Sequence, residues 1–238
     1  MKRWISGFVL LTLLLLCLGA AQADPDFGLQ DASKRTGSWA EVYAGILNER
    51  SAGIKAYQDH VLSITSLPSC HPVGLQDLTG DGIPELLFID LVDDTEYGFQ
   101  VGRFWVYTCS GESVHCTLTL QPEIDDLLYS RYYLGKDGLL TLYFSDCEMS
   151  WAVQLRLDPG GHYAVENILI EQPDFSGESP DEYLLNGKKI NAKKYKTQSK
   201  KFKSAQGHMI GSLMVDDNGT GFTYTLEEAL DALAGKAE

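Results

Sequence analysis

The chain has 238 residues, 33 of them acidic and 19 basic, and a formal charge of −14. That balance disfavours nucleic acid and anionic membranes as partners and suits solubility and cation binding. The length is enough for one large domain or two small ones around a substantial core, and one domain is expected.

Residues 1–23 read as a secretory signal peptide. Met-Lys-Arg-Trp precedes an apolar run to Leu18, and Ala21 and Ala23 place small residues where a signal peptidase reads them. The apolar core is too short for a membrane span and no later stretch is long enough, so a soluble secreted protein, extracellular or periplasmic, is expected. Losing Lys2 and Arg3, two positive charges, would take the formal charge from −14 to −16. Cys17 would leave too, and Cys70, Cys109, Cys116 and Cys147 would remain for two disulfides in an oxidising compartment. The expected pairs are Cys109 with Cys116, across the turn at 110–113, and Cys70 with Cys147. A zinc set from Cys70, His71, His115 and Cys116 lacks tight ligand spacing.

Residues 24–37 are polar and aperiodic, a flexible leader to the domain at 38–238. Trp39, Tyr43, Ile46, Leu47, Ile54, Tyr57, Val61 and Ile64 then recur at helical spacing, with Ser38 and Glu41 as a capping box. This predicts one amphipathic helix, or two meeting at 51–53, ended near Leu67-Pro68.

The stretch 73–92 carries the most chemistry. A short strand at Val73 and Leu75 leads into Asp77-Leu-Thr79-Gly-Asp81-Gly82-Ile83-Pro-Glu85. Oxygen-bearing side chains alternate at Asp77, Thr79 and Asp81, Gly82 supplies a sharp turn, and the Ile83 carbonyl and the Glu85 carboxylate can complete a hard-cation site, for which calcium is the natural guest. The spacing follows an EF-hand loop through its sixth position, but the twelfth is Phe88 where a bidentate Glu belongs. The apolar run 86–89 predicts a buried strand rather than a departing helix. Asp90, Asp93, Asp94 and Glu96 follow as an acidic patch, read as a solvated strand end.

At Asp77 to Glu85 the chain resembles the calcium loops of FG-GAP repeats and, less closely, those of dockerins, with Thr79 where Asp or Asn is usual. Over residues 39–92 it is also similar to secreted bacterial proteins of unknown function that carry a helix followed by one Asp-x-x-Gly-Asp-Gly-x-Pro-Glu loop. The resemblance implies a calcium ion and no particular reaction. A single loop with no fixed-period repeat does not make a propeller.

Beyond the loop, 104–108 and 114–120 read as a hairpin, and 139–144, 151–157 and 163–170 as further strands joined by tight turns. Such spacing makes an antiparallel meander, since parallel strands need long crossovers. Residues 172–181, with two prolines, are the candidate internal boundary. Asn186-Gly187 signals a type I′ hairpin. Asn191 caps a helix to about Phe202 with Ala192, Tyr195, Ser199 and Phe202 inward, 209–215 is another strand, and Thr225 with Glu228 opens a last helix buried through Leu226, Leu230 and Leu233. A second, degenerate loop at 216–221 reads as a turn. The segment 188–203 holds eight lysines and no acid.

The fold class expected is therefore α+β: an antiparallel β-meander with a long N-terminal helix packed on it and short C-terminal helices. No nucleophile elbow, zinc helix, phosphate loop or dinucleotide fingerprint occurs, and no catalytic residue is assigned. The functional expectation is a secreted, monomeric, calcium-stabilised binding or scaffolding domain for a protein or glycan outside the cell. The alternative is an extracellular metal-dependent or carboxylate-based hydrolase.

Overall fold

The computed structural model describes residues 37–65, 67–94, 99–110, 113–120, 129–135, 138–145, 150–157, 163–172, 181–214 and 221–236. The expected signal peptide, nearly all of the leader, Cys147, the boundary at 173–180 and the second loop up to residue 220 lie outside them. The domain is α+β, as expected, and has two antiparallel sheets. Strands β1 (Val73–Gln76), β2 (Glu85–Asp94), β3 (Phe99–Ser110) and β4 (Ser113–Leu120) form a small sheet in sequence order. Strands β5 (Tyr129–Leu134), β6 (Leu140–Ser145), β7 (Ser150–Leu157), β8 (Tyr163–Gln172), β9 (Glu182–Leu185), β10 (Lys188–Ile190) and β11 (His208–Met214) form a large one, ordered β10-β9-β8-β7-β6-β5-β11.

Side-chain alternation sorts these strands into layers. On the small sheet, Leu86 and Phe88 share one face with Trp105 and Tyr107, and helices α1 (Trp39–Ile64) and α3 (Leu226–Ala234) cover it through Tyr43, Ile46, Leu47, Ile54, Leu226 and Leu233. The other face, with Leu87, Ile89, Phe104 and Val106, packs on Tyr132, Leu142, Val153 and Ile168 of the large sheet. Helix α2 (Ala192–Ala205) lies on that sheet's far side, with Phe202 buried against Ala152 and Leu169.

Local chemistry explains the ends of the elements. Ser38 and Glu41 form the reciprocal capping box, as do Thr225 and Glu228, while the Asn191 side chain accepts from the Lys194 amide. Helix α1 runs unbroken through 51–53. Gly53 is there because a Cβ would stand 2.7 Å from the Leu91 carbonyl oxygen, so its bareness lets the helix close onto β2. Asn186 and Gly187 both take positive φ, 50° and 73°, as a type I′ turn between β9 and β10 requires. Two expected inward residues face solvent instead: Ile64, in the last turn of α1 beyond the sheet's reach, is 51% exposed, and Ala192 is exposed at the start of α2. Strand β5 was not expected. Its inward Ser130 interrupts the apolar alternation, and inside the fold it is satisfied by the Tyr132 hydroxyl at 2.7 Å.

Residues 221–224 stitch the two sheets along one edge. Gly221 exchanges backbone hydrogen bonds with Ser212 of β11, the Phe222 amide donates to the His71 carbonyl at 2.6 Å, and Tyr224 pairs with Val73 of β1. Phe222 then stacks on Tyr132 at 4.7 Å and on Phe104 at 5.9 Å, one ring from each sheet. Gly221 sits at φ 108°, and a Cβ would come within 2.3 Å of the His71 carbonyl oxygen. We predict that Gly221→Ala destabilises the fold by about 2–4 kcal/mol, from the strained φ and the backbone collision together. Urea denaturation reads this directly, and a midpoint equal to wild type would show that the stitch is not under strain.

Candidate metal centre

The loop from Asp77 to Glu85 joins β1 to β2, with Gln76 and Glu85 as the last pair of the ladder. Two apolar anchors hold it. Leu78 is buried in the core between the sheets, and Ile83 packs against the core under the helices. Between them the chain must turn sharply, and Gly80 and Gly82 take φ of 79° and 87°, a region that costs other residues strain.

The carboxylates organise the backbone. Asp77 accepts from the Gly80 amide at 2.6 Å and the Gly82 amide at 3.0 Å, Asp81 accepts from the Ile83 amide at 2.8 Å, and Glu85 accepts from the Leu78 amide at 2.6 Å. A carboxylate offers about four lone-pair sites, so these bonds orient the side chains without exhausting them. Glu85 is only 1% exposed. Burial pushes its carboxyl up to about 7, helped by the negative charges of Asp81 and Asp77 and opposed by the amides of Leu78 and Thr79. The Thr79 hydroxyl oxygen is buried with no hydrogen-bond partner.

The fold thus brings Asp77, Asp81 and Glu85 within electrostatic range of one another, with Thr79 and Ile83 on the same loop. Among the described residues no three His, Cys, Asp or Glu side chains converge tightly enough to form a ready-made metal cluster. Within the loop lie a buried carboxylate set against two others and a buried hydroxyl oxygen with nothing to bond, which are the donor types that a hard cation takes. Such an ion would supply the positive charge that the loop's own amides supply only in part.

Other expected residues fall elsewhere. Cys109 and Cys116 lie diagonally across β3 and β4, since Cys109 pairs with Val114 and Cys116 with Tyr107, rather than directly opposite as a bridge would prefer. Burial pushes the Cys70 thiol up to about 12, which keeps it unreactive as a nucleophile. Cys147, its expected partner, is not among the described residues.

The acidic patch after the loop needs correction at Asp90. Instead of marking a solvated strand end, Asp90 is 1% exposed on the helix side of the small sheet. It accepts from Trp105 Nε1 at 2.8 Å, lies 3.8 Å from the Arg50 guanidinium of α1 and faces Arg103 across the ladder. Arg50 also stacks over the Trp105 ring at 4.4 Å. Burial raises the Asp90 carboxyl, and Trp105 and the two arginines oppose the rise. The signal in the sequence was the polar residue closing an apolar run, but its partners are 13 to 40 positions away in the chain and nothing local announces them.

The chain matches no protein-family model, no curated protein and no solved structure. The likeness of the loop to FG-GAP loops therefore rests on its own residues.

Glu85 makes stability depend on pH. A carboxyl raised from 4.5 to about 7 holds its proton more tightly in the folded chain than in the unfolded one. Its contribution in chelator is therefore complete below pH 4.5 and declines as pH rises through 7. Glu85→Gln keeps an acceptor for the Leu78 amide and cannot ionise, so the melting temperature of wild type should fall relative to this variant across that window. A difference that stays constant with pH would sink the assignment.

Proposed function

We propose that the protein is a secreted, calcium-stabilised binding or scaffolding domain whose ion locks the junction between β1 and β2. The observation that carries this reading is the buried Glu85 carboxylate beside Asp77 and Asp81, with the Thr79 oxygen unsatisfied on the same loop. Calcium would be held by Asp77, Thr79, Asp81 and Glu85, with the Ile83 carbonyl available as a further ligand. Its role would be structural, because Leu78 and Ile83 tie the loop into the two cores on either side of the small sheet. Fixing the loop fixes the entry to β2.

Export is part of the same reading, since extracellular calcium is abundant enough for a weak site. It rests on the charged start, apolar run and Ala21-Gln22-Ala23 of residues 1–23. Among the described residues no helix is long and apolar enough to cross a membrane. Mass spectrometry of exported material should find Asp24 as the first residue. Retention of Cys17, with or without lipid, would overturn cleavage at Ala23.

Extracellular calcium modules bind at about 0.1–1 mM, and an ion at ten times its dissociation constant adds roughly 1.4 kcal/mol to the native state. For a domain of this size that raises the melting temperature by about 3–6 °C. Asp81→Ala should abolish the calcium-dependent part of the shift, whereas Glu227→Ala on the exposed face of α3 should preserve it. A wild-type melting temperature that ignores both millimolar calcium and chelator, with the protein shown to hold no ion, would reduce the stretch to a turn.

A further inference from the structure

The lysines of 188–203 stand apart from the rest of the chain. Eight of the 19 basic residues and none of the 33 acids fall in this segment, so the remainder sets 11 bases against 33 acids. All eight are exposed, on β10 and α2. Lys189 pairs with Glu182 of β9 at 2.9 Å, and among the described residues no acid lies within ion-pair distance of the other seven. Helical geometry then sorts six of them into rows. Lys193, Lys196, Lys200 and Lys203 form one row, with Lys194 and Lys201 as a second beside it, on the side away from Tyr195 and Phe202, which pack on the sheet. Steps of three, four and three residues space the charges of the first row about 4.5–6 Å apart over about 15 Å.

This arrangement works against the helix that carries it. Helices α1 and α3 place Glu41, and Glu227 with Glu228, in their first turns, where the helix dipole favours negative charge. The first turn of α2 holds no acid and has Lys193 and Lys194 instead. Along the row, Lys196 and Lys200 are like charges four residues apart, and Lys193 with Lys196 and Lys200 with Lys203 are three apart, so each repels the next. A row of cations that weakens its own helix and has no acid to offset it is complementary to a run of anions from outside.

Chemistry narrows the partner. The only aromatics of α2, Tyr195 and Phe202, are turned to the sheet, so none stands among the lysines for nucleic-acid bases to stack on. A helix that lies in a membrane surface needs a free apolar face, and that of α2 is already used against Ala152 and Leu169. A flat anionic surface would also bring the acid-rich remainder of the protein within a Debye length, about 8 Å at physiological salt. A single narrow chain lying along the row meets the lysines alone.

We propose that the outer face of α2 binds a linear acidic polysaccharide, whose successive carboxylates pair with Lys193, Lys196, Lys200 and Lys203. Carboxylates on adjacent rings of a polyuronate recur at a spacing similar to that of the row. This gives the proposed binding role a ligand class and a location, and it rests on that role and on export rather than on the calcium ion.

The test titrates the purified protein in chelator, by calorimetry, with galacturonate, its oligomers and its polymer, and with neutral dextran, duplex DNA and phosphatidylglycerol vesicles. Affinity should climb from the single sugar to the oligomer that spans the row, and should fall by about tenfold or more between low and physiological salt. Lys196→Gln with Lys200→Gln, in the middle of the row, should weaken polymer binding by about fivefold or more. Lys196→Arg with Lys200→Arg keeps the charge and should keep the binding. Lys55→Gln with Lys236→Gln removes the same two charges from α1 and from the end of α3, and should leave binding unchanged. All four positions are exposed, so the fold should tolerate each change. The proposal is overturned if the oligomers bind no more tightly than the single sugar, if dextran binds equally well, or if DNA or the vesicles bind more tightly than the polyuronate. It is overturned too if the Lys55 and Lys236 changes cost as much as those at Lys196 and Lys200. Because the titration is run in chelator, its failure leaves the calcium-dependent melting shift intact, and loss of that shift leaves this binding unaffected.

Discussion

Leu86, Leu87, Phe88 and Ile89 are four consecutive residues with no exposed surface. Neighbours on a strand point to opposite faces, so such a run is stable only where both faces of its sheet are covered. The rest of the molecule supplies that cover. Helices α1 and α3 close over Leu86 and Phe88, and the large sheet closes over Leu87 and Ile89. Neither the helical layer nor the large sheet could be removed without returning half of β2 to water, and the strap at Phe222 binds the sheets at the edge where β1 alone would leave them apart.

Burial on both faces also sets the terms for the two carboxylates that bracket the run. Asp90 and Glu85 are equally enclosed, and an ionised carboxylate in such surroundings needs compensation. At Asp90 the compensation is permanent and cationic: Arg50 from the helix, Arg103 across the ladder, and the Trp105 N–H. At Glu85 it is only the dipoles of backbone amides, set against the like charges of Asp77 and Asp81. The same chemical problem thus has a closed solution at one end of β2 and one at the other end that lacks a positive charge. That asymmetry, rather than the count of acids in the loop, is what supports an ion there.

The large sheet meets a different constraint. Its inner face packs on the small sheet, while its outer face carries only a helix of 14 residues. Helix α2 packs through Phe202 and partly through Tyr195, and its mostly polar, lysine-rich sequence leaves little else to bury.

Much of the architecture was legible in the residues alone. Capping boxes at Ser38 and Thr225, the Asn191 cap, the Asn186-Gly187 turn and the unbroken apolar run of β2 are local signals, written within one or two turns of chain, and each appears where it was expected. That Asp77, Thr79, Asp81 and Glu85 share one loop between β1 and β2 was legible for the same reason, because they are neighbours in sequence. What the chain could not show in one dimension was any pairing over distance. Strand β5 hid behind Ser130, whose partner exists only once Tyr132 is buried beside it. Asp90 looked solvated until Arg50 and Trp105 came over it, and Gly53 looked like a helix break until β2 lay against it. The face under α2 collects Tyr143, Ala152 and Leu169 from three separate strands beneath Phe202. Local hydrogen bonds and periodicity are settled by neighbours in sequence, whereas charge compensation, close approach and burial are settled by neighbours in space, and only the tertiary structure assigns those.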